Sequence, residues 1–255
     1  MTYMVIKNVE IDIINHISFT KKKVAAMGQL NGVHHIAFMT ADVKSQIEFF
    51  SNVLGMKLKA LYWMHNVDGY FHAFMELNES CSVAFVQSPE VEDIPVEYGV
   101  THAGNPVKPC SAGVMQHLAF NCDSDDDLLD MRDRIRAKGV RVLGPLDHGF
   151  CKSIYFGGPE NMVLEVSTSN GVGINEKAWI DPEVVKLNGI SPEELECYKY
   201  PAEFDRVNEP IAQPAAGTGR PEYKNMEPEF AGAFDLPDSV VMKELSEATP
   251  PVKAA

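Results

Sequence analysis

The chain has 255 residues, of which 45% are apolar and 23% charged. A chain of this length buries roughly 70% of its unfolded surface without needing disulfides, and the composition excludes a fibrous or wholly disordered polymer. Acidic residues outnumber basic ones by 36 to 22, a net charge of −14, which argues against nucleic acid and against an anionic membrane surface as partners.

Residues 1–30 read as an N-terminal arm. Acidic residues interrupt MTYMVIKNVEIDIINH, so it is not expected to act as a signal peptide. No run approaches 18 consecutive apolar residues, so no transmembrane helix is predicted. Residues 31–110 and 111–168 carry a repeat. The first copy opens GVHHIAFMTADVKSQIEFFSNVLGM and the second GVMQHLAFNCDSDDDLLDMRDRIRAKG. Each begins with a strand-like apolar run, passes a polar turn and enters an amphipathic helix. Val43, Ile47, Phe50 and Leu54 recur at helical spacing in the first copy, and Leu128, Met131 and Ile135 in the second. Asp42 and either Asp123 or Ser124 are the candidate N-caps. Gly55 and Gly139 stand where a left-handed residue would end each helix. Strand-like segments follow at Tyr70–Leu77 and Cys81–Gln87, and again at Ser153–Phe156 and Met162–Val166. The expected fold class is therefore α+β. Two paired βαβββ modules are expected to form an open curved barrel around a metal-binding cleft, as one catalytic domain.

Residues 169–255 hold ten of the sixteen prolines and read as a Pro-rich C-terminal extension. Short helices are predicted at Pro182–Leu187 and Pro192–Tyr198, each with proline in its first turn. Five cysteines without a CxxC spacing read as free thiols of a reducing cytoplasm. An arm and a tail able to cover strand edges suggest a homo-oligomer.

Side chains alternate between the faces of a strand. His35 therefore shares a face with Val33 and Ala37, His117 with Met115 and Ala119, and Glu165 with Val163. The repeat sets His35 in register with His117. Two imidazoles and one carboxylate can occupy one face of an octahedral ion and leave three positions open. Fe(II) suits these donors, with Mn(II) and Zn(II) close alternatives. Any one of the three, taken alone, also reads as a hydrogen-bonded strand residue. His34 is the weaker candidate, because alternation turns it away from His35. Phe71, Phe74, Tyr62 and Trp63 are expected to pack in a core or line an apolar pocket, and His72 is expected to be a packed strand residue or a substrate contact.

The paired modules resemble the vicinal oxygen chelate superfamily, and the segment HGFCKSIYFGGPENMVLE (148–165) resembles the signature of its type I extradiol ring-cleavage dioxygenases. His148, Ile154-Tyr155, Pro159 and Glu165 stand at matching spacing, whereas Leu146, Gly158 and Asn161 depart from it. CSVAFVQ has no carboxylate near Ala84 or Phe85, where glyoxalase-type members usually draw a fourth ligand, which favours three protein ligands. The resemblance implies that His35, His117 and Glu165 hold Fe(II) (or Mn(II)). It implies that His102, fifteen residues before His117, is an acid–base histidine, and that His148 and Tyr155 place substrate and oxygen. It implies cleavage of a small aromatic diol with O2 as co-substrate. Two other classes stay open: another metal-dependent enzyme of this fold (a para-diol-cleaving dioxygenase, an isomerase or a lyase), and a non-catalytic protein that binds an aromatic ligand.

Overall fold

The computed structural model describes residues 30–65, 67–202, 209–215 and 232–253. The expected N-terminal arm, apart from Leu30, lies outside the described residues. Residues 32–201 fall within one compact unit. The first module runs β1 (His35–Thr40), α1 (Val43–Asn52), β2 (Lys57–Trp63), β3 (Phe71–Asn78) and β4 (Cys81–Gln87). The second runs β5 (Leu118–Asn121), α2 (Asp125–Ala137), β6 (Val142–Asp147), β7 (Lys152–Gly157) and β8 (Val163–Thr168).

The helix ends follow local chemistry. Asp42 accepts from the Ser45 N–H at the start of α1, and Ser124 accepts from the Asp127 N–H at the start of α2. Both contacts satisfy N–H groups that the helix itself leaves free. Gly55 and Gly139 follow the two helices with φ of +83° each, a conformation glycine reaches without steric cost.

The strands form two four-stranded sheets, ordered β1-β4-β3-β2 and β5-β8-β7-β6. Strands β1 and β4 run parallel, as do β5 and β8, and the other pairs are antiparallel. The expected open curved barrel is not formed. Strands β1 and β5 are both edge strands, and no ladder among the described strands joins them. Neither sheet closes or curls strongly. The modules meet instead through side chains. Phe50 of α1 packs 6.4 Å, centroid to centroid, from Phe120 of β5. Glu160 accepts from the Ala41 N–H and from Gln46 Nε2, each at 2.7 Å. Arg134 of α2 donates to the Val53 carbonyl at 2.7 Å.

One hydrophobic core contains residues of both modules, among them Phe50, Met75, Phe85, Leu128, Ile154 and Leu164. Full burial of such a side chain is worth about 1.5–3 kcal/mol. The core lies on the helix-covered faces, where β4 contributes Val83 and Phe85 and β8 contributes Leu164 and Val166. The alternation that buries these residues turns the intervening ones, including Glu165, to the opposite face.

In the extension, α3 (Glu176–Trp179), α4 (Pro182–Leu187), α5 (Pro192–Lys199) and α6 (Asp238–Glu244) are short. Helix α4 has the expected limits. Helix α5 begins as expected at Pro192 and runs one residue further, with a complete capping box between Ser191 and Glu194. Much of the remaining extension lies outside the described residues. All five cysteines are free. No helix among the described residues is long and apolar enough to cross a membrane.

Candidate functional site

The second sheet gathers most of the expected groups on the face away from its helix. In the ladder Tyr155 of β7 stands opposite Glu165 of β8, which in turn stands opposite Ala119 of β5. His117, two residues before Ala119, shares that side. Its Nε2 lies 2.9 Å from Glu165 Oε2. The rings of His117 and Tyr155 are 6.3 Å apart, and the Tyr155 hydroxyl is 3.0 Å from His148 Nε2. Glu165, His117, Tyr155 and His148 thus form one line of polar groups.

Glu165 is only 5% exposed, so its carboxylate depends on partners. Ser167 Oγ donates to Oε1 at 2.5 Å. Because Ser167 has committed its proton there, its oxygen accepts from Ser153, 2.8 Å away. Burial raises the Tyr155 pKa above the ordinary phenol range, and the nearby Glu165 charge raises it further. The phenol therefore keeps its proton at neutral pH.

Gln116, which the sequence reading did not single out, fixes the protonation of His117. Its amide nitrogen donates to the Asn105 and Lys108 carbonyls, both at 3.2 Å. Its amide oxygen is thereby turned to His117 Nδ1, with which it is in contact. That oxygen can only accept, so Nδ1 carries the hydrogen. Nε2 then faces the Glu165 carboxylate. An imidazole nitrogen and a carboxylate oxygen aimed at one another are donors of the kind a divalent cation takes. An outer hydrogen bond on Nδ1 with Nε2 turned inward is how metal-binding histidines are commonly oriented.

His117 and Glu165 therefore fit a divalent cation in donor type and in aim. His35 does not join them. It is exposed at the start of β1, with Nδ1 2.8 Å from His34 Nδ1 and its ring 5.5 Å from Phe74. Among the described residues, no three His, Cys, Asp or Glu side chains gather closely enough to hold a metal. The nearness of His34 to His35 departs from strict alternation. Strand β1 begins only at His35, so His34 is free of its pleat.

His102 also stands apart from the line. It lies half-buried in the loop before β5, with Nδ1 2.9 Å from Thr101 Oγ1. It faces a cavity of about 720 Å³ whose walls include Met39, Tyr70, Met115 and Glu160. Tyr155 faces a second cavity of about 380 Å³, and Asn161 and Met162 line both. Glu160 and Asn161 adopt positive φ, +50° and +62°. Asn161 Oδ1 accepts from the Tyr98 hydroxyl at 2.8 Å, which ties this turn to the His102 loop.

On the first sheet, Tyr62 and Phe74 stack with planes 10° apart, and His72 lies 4.5 Å from Phe74. Burial lowers the His72 pKa, and the nearby His35 lowers it further. His72 Nε2 is buried without a hydrogen-bond partner among the described groups. Trp63 is 67% exposed and takes no part in the core.

Residues 32–166 match the profile of one protein family. The chain belongs to the Glyoxalase/Bleomycin resistance protein/Dioxygenase superfamily. A 72-residue stretch is 33% identical to Biphenyl-2,3-diol 1,2-dioxygenase 2 of Rhodococcus globerulus, covering 28% of this chain and 37% of that protein. Biphenyl-2,3-diol 1,2-dioxygenase 3 of the same organism is 25% identical over 92 residues, 36% and 48% of the two chains. The chain thus matches less than half the length of these relatives. Among solved structures of the superfamily, a glyoxylase/bleomycin resistance protein/dioxygenase domain from Frankia sp. EAN1pec is 17% identical with a TM-score of 0.43, over 55% of this chain and 98% of that one.

Proposed function

We infer that the chain is an Fe(II)-dependent extradiol dioxygenase that opens the ring of a catecholic substrate with O2. The observation that carries this reading is the facing pair of His117 Nε2 and Glu165 Oε2, with Tyr155 and His148 beside it. The local likeness to two biphenyl-2,3-diol dioxygenases supports the same chemistry.

In this reading His117 and Glu165 would hold the metal, and His35, which stands apart from them on β1, would have to move to serve as the third ligand. When bound, ferrous iron supplies a Lewis-acidic centre with open positions for two catechol oxygens and dioxygen. Gln116 keeps the proton on His117 Nδ1, so Nε2 is the nitrogen offered inward. Tyr155 stays a neutral phenol and donates a hydrogen bond from Oη to oxygen that gains charge during the reaction. His148 Nε2, 3.0 Å from that hydroxyl, holds it in position. His102 accepts a proton from a substrate hydroxyl and later delivers one. Its place on the larger cavity gives it access to a substrate bound there.

The test is to load the chain with Fe(II) without oxygen, add a panel of catechols, and admit isotopically labelled O2. One O2 consumed per ring is expected, with both labelled atoms in a yellow, conjugated semialdehyde or keto acid. A diacid from cleavage between the two hydroxyl-bearing carbons, or turnover of a non-aromatic substrate without oxygen, overturns the reading.

A further inference from the structure

We propose that Trp179, from the C-terminal extension, is a positioning residue for His148. This deepens the dioxygenase reading and rests on the role assigned there to His148.

His148 opens the tight connection between β6 and β7. The strands are paired up to Asp147 and Lys152, and the His148 N–H donates to the Cys151 carbonyl at 2.8 Å across the connection. Gly149 takes the first central position with φ of +87°, while Phe150, the second, has no positive φ. A positive φ in so short a connection between paired strands is a place that favours glycine. Asp147 Oδ1 accepts from the Gly149 N–H at 2.7 Å and braces the turn from inside.

The turn's outer side is covered from outside the paired modules. A Cβ on Gly149 would lie 2.8 Å from both Cζ2 and Cη2 of Trp179. The indole therefore occupies space that only a glycine leaves open. It also meets the Phe150 ring edge-on, 4.9 Å between centroids and 77° between planes. Trp179 is itself held, because α3 is capped by Asn175, whose carbonyl accepts from the Trp179 N–H at 3.1 Å. Both central residues of the His148 turn are thus fixed by one side chain. The indole remains 48% exposed. His148, exposed at the start of the turn, makes its one side-chain hydrogen bond among the described groups to Tyr155, and the direction of that bond depends on how the turn is seated.

Trp179→Ala and Trp179→Phe in the full chain provide the test, with two readouts. In metal-free protein carrying ¹⁵N-labelled imidazoles, the His148 signals should shift or broaden in Trp179→Ala and largely return in Trp179→Phe. The signals of His72, on the other sheet, should stay unchanged. In iron-loaded enzyme given a catechol, kcat should fall about tenfold to a hundredfold in Trp179→Ala, the scale expected when a reacting group is displaced by about 1 Å. KM and bound iron should hold. Unaltered His148 signals in Trp179→Ala overturn the proposal, whatever the activity. If the wild-type chain opens no catechol ring while His148 still responds to Trp179, the dioxygenase reading fails and the seating of His148 by Trp179 stands.

Discussion

His117 Nε2 stands 2.9 Å from Glu165 Oε2, and the buried carboxylate has Ser167 as its other partner. The pair is expected to lose its cation when the carboxylate goes. Glu165→Ala should retain less than about a tenth of the wild-type iron after anaerobic reconstitution, since even the loss of an outer partner commonly costs that much. It should also lose about 1–3 kcal/mol of stability, because Ser167 is left without its acceptor. Iron analysis and denaturant unfolding check the two effects. Full iron occupancy in the variant removes Glu165 from the ligand set.

Gln116 is expected to act on the metal without touching it. In Gln116→Leu the His117 imidazole loses the acceptor that holds its proton on Nδ1, and the ring is free to turn or change tautomer. Iron affinity should drop about 10–100-fold while the circular dichroism spectrum stays that of the wild type. A competition titration against a chelator measures this, and equal affinity in the two proteins refutes the orienting role.

For His102 the expected pattern is the reverse. It lies on the cavity and not in the His117–Glu165 contact. His102→Ala should bind near-normal iron yet turn over more slowly by roughly 10²–10⁴-fold, the usual worth of a positioned acid or base. Single-turnover rates at several pH values, on protein of known iron content, decide the point. Unimpaired turnover shows that another group moves the proton.

His72 gives a pH dependence. Burial lowers its pKa in the folded chain, so the unfolded chain binds the proton more readily. Stability from this group is complete above the unfolded value of about 6.5 and is lost as pH falls towards the lower folded value. Urea midpoints of the metal-free protein should therefore decline below pH 6.5, and less steeply in His72→Gln. Parallel declines in the two proteins exclude His72 as a source of acid sensitivity.

The parts of the fold legible in the sequence were those set by neighbours in the chain. Asp42, Ser124, Gly55 and Gly139 mark the two module helices because caps and left-handed exits act within four residues. The prolines at 182 and 192 begin α4 and α5 for the same local reason. Strand parity placed His117 with Ala119, and the ladder sets Ala119 opposite Glu165. How the modules join was not legible. The repeat suggested a continuous curved sheet, but whether β1 and β5 pair depends on the packing around Phe50, Phe120 and Glu160, which no local pattern records. The contact of Trp179 with Gly149 is also long-range. Gln116 carried a weak signal, a polar amide beside a candidate ligand. Its role depends on the Asn105 and Lys108 carbonyls of a distant loop.

The seam between the modules has a mechanical consequence. No backbone ladder among the described strands crosses it. Its contacts are those of side chains: the shared core around Phe50 and Phe120, the two acceptor atoms of Glu160, and Arg134 on a carbonyl. A sheet that ran through both modules would resist rotation with every bond in its ladder. Here a few side chains set the angle, and Glu160 does so from a left-handed backbone conformation that few residues adopt comfortably. The angle between the modules is therefore set by residues whose replacement would leave each sheet's own ladder intact.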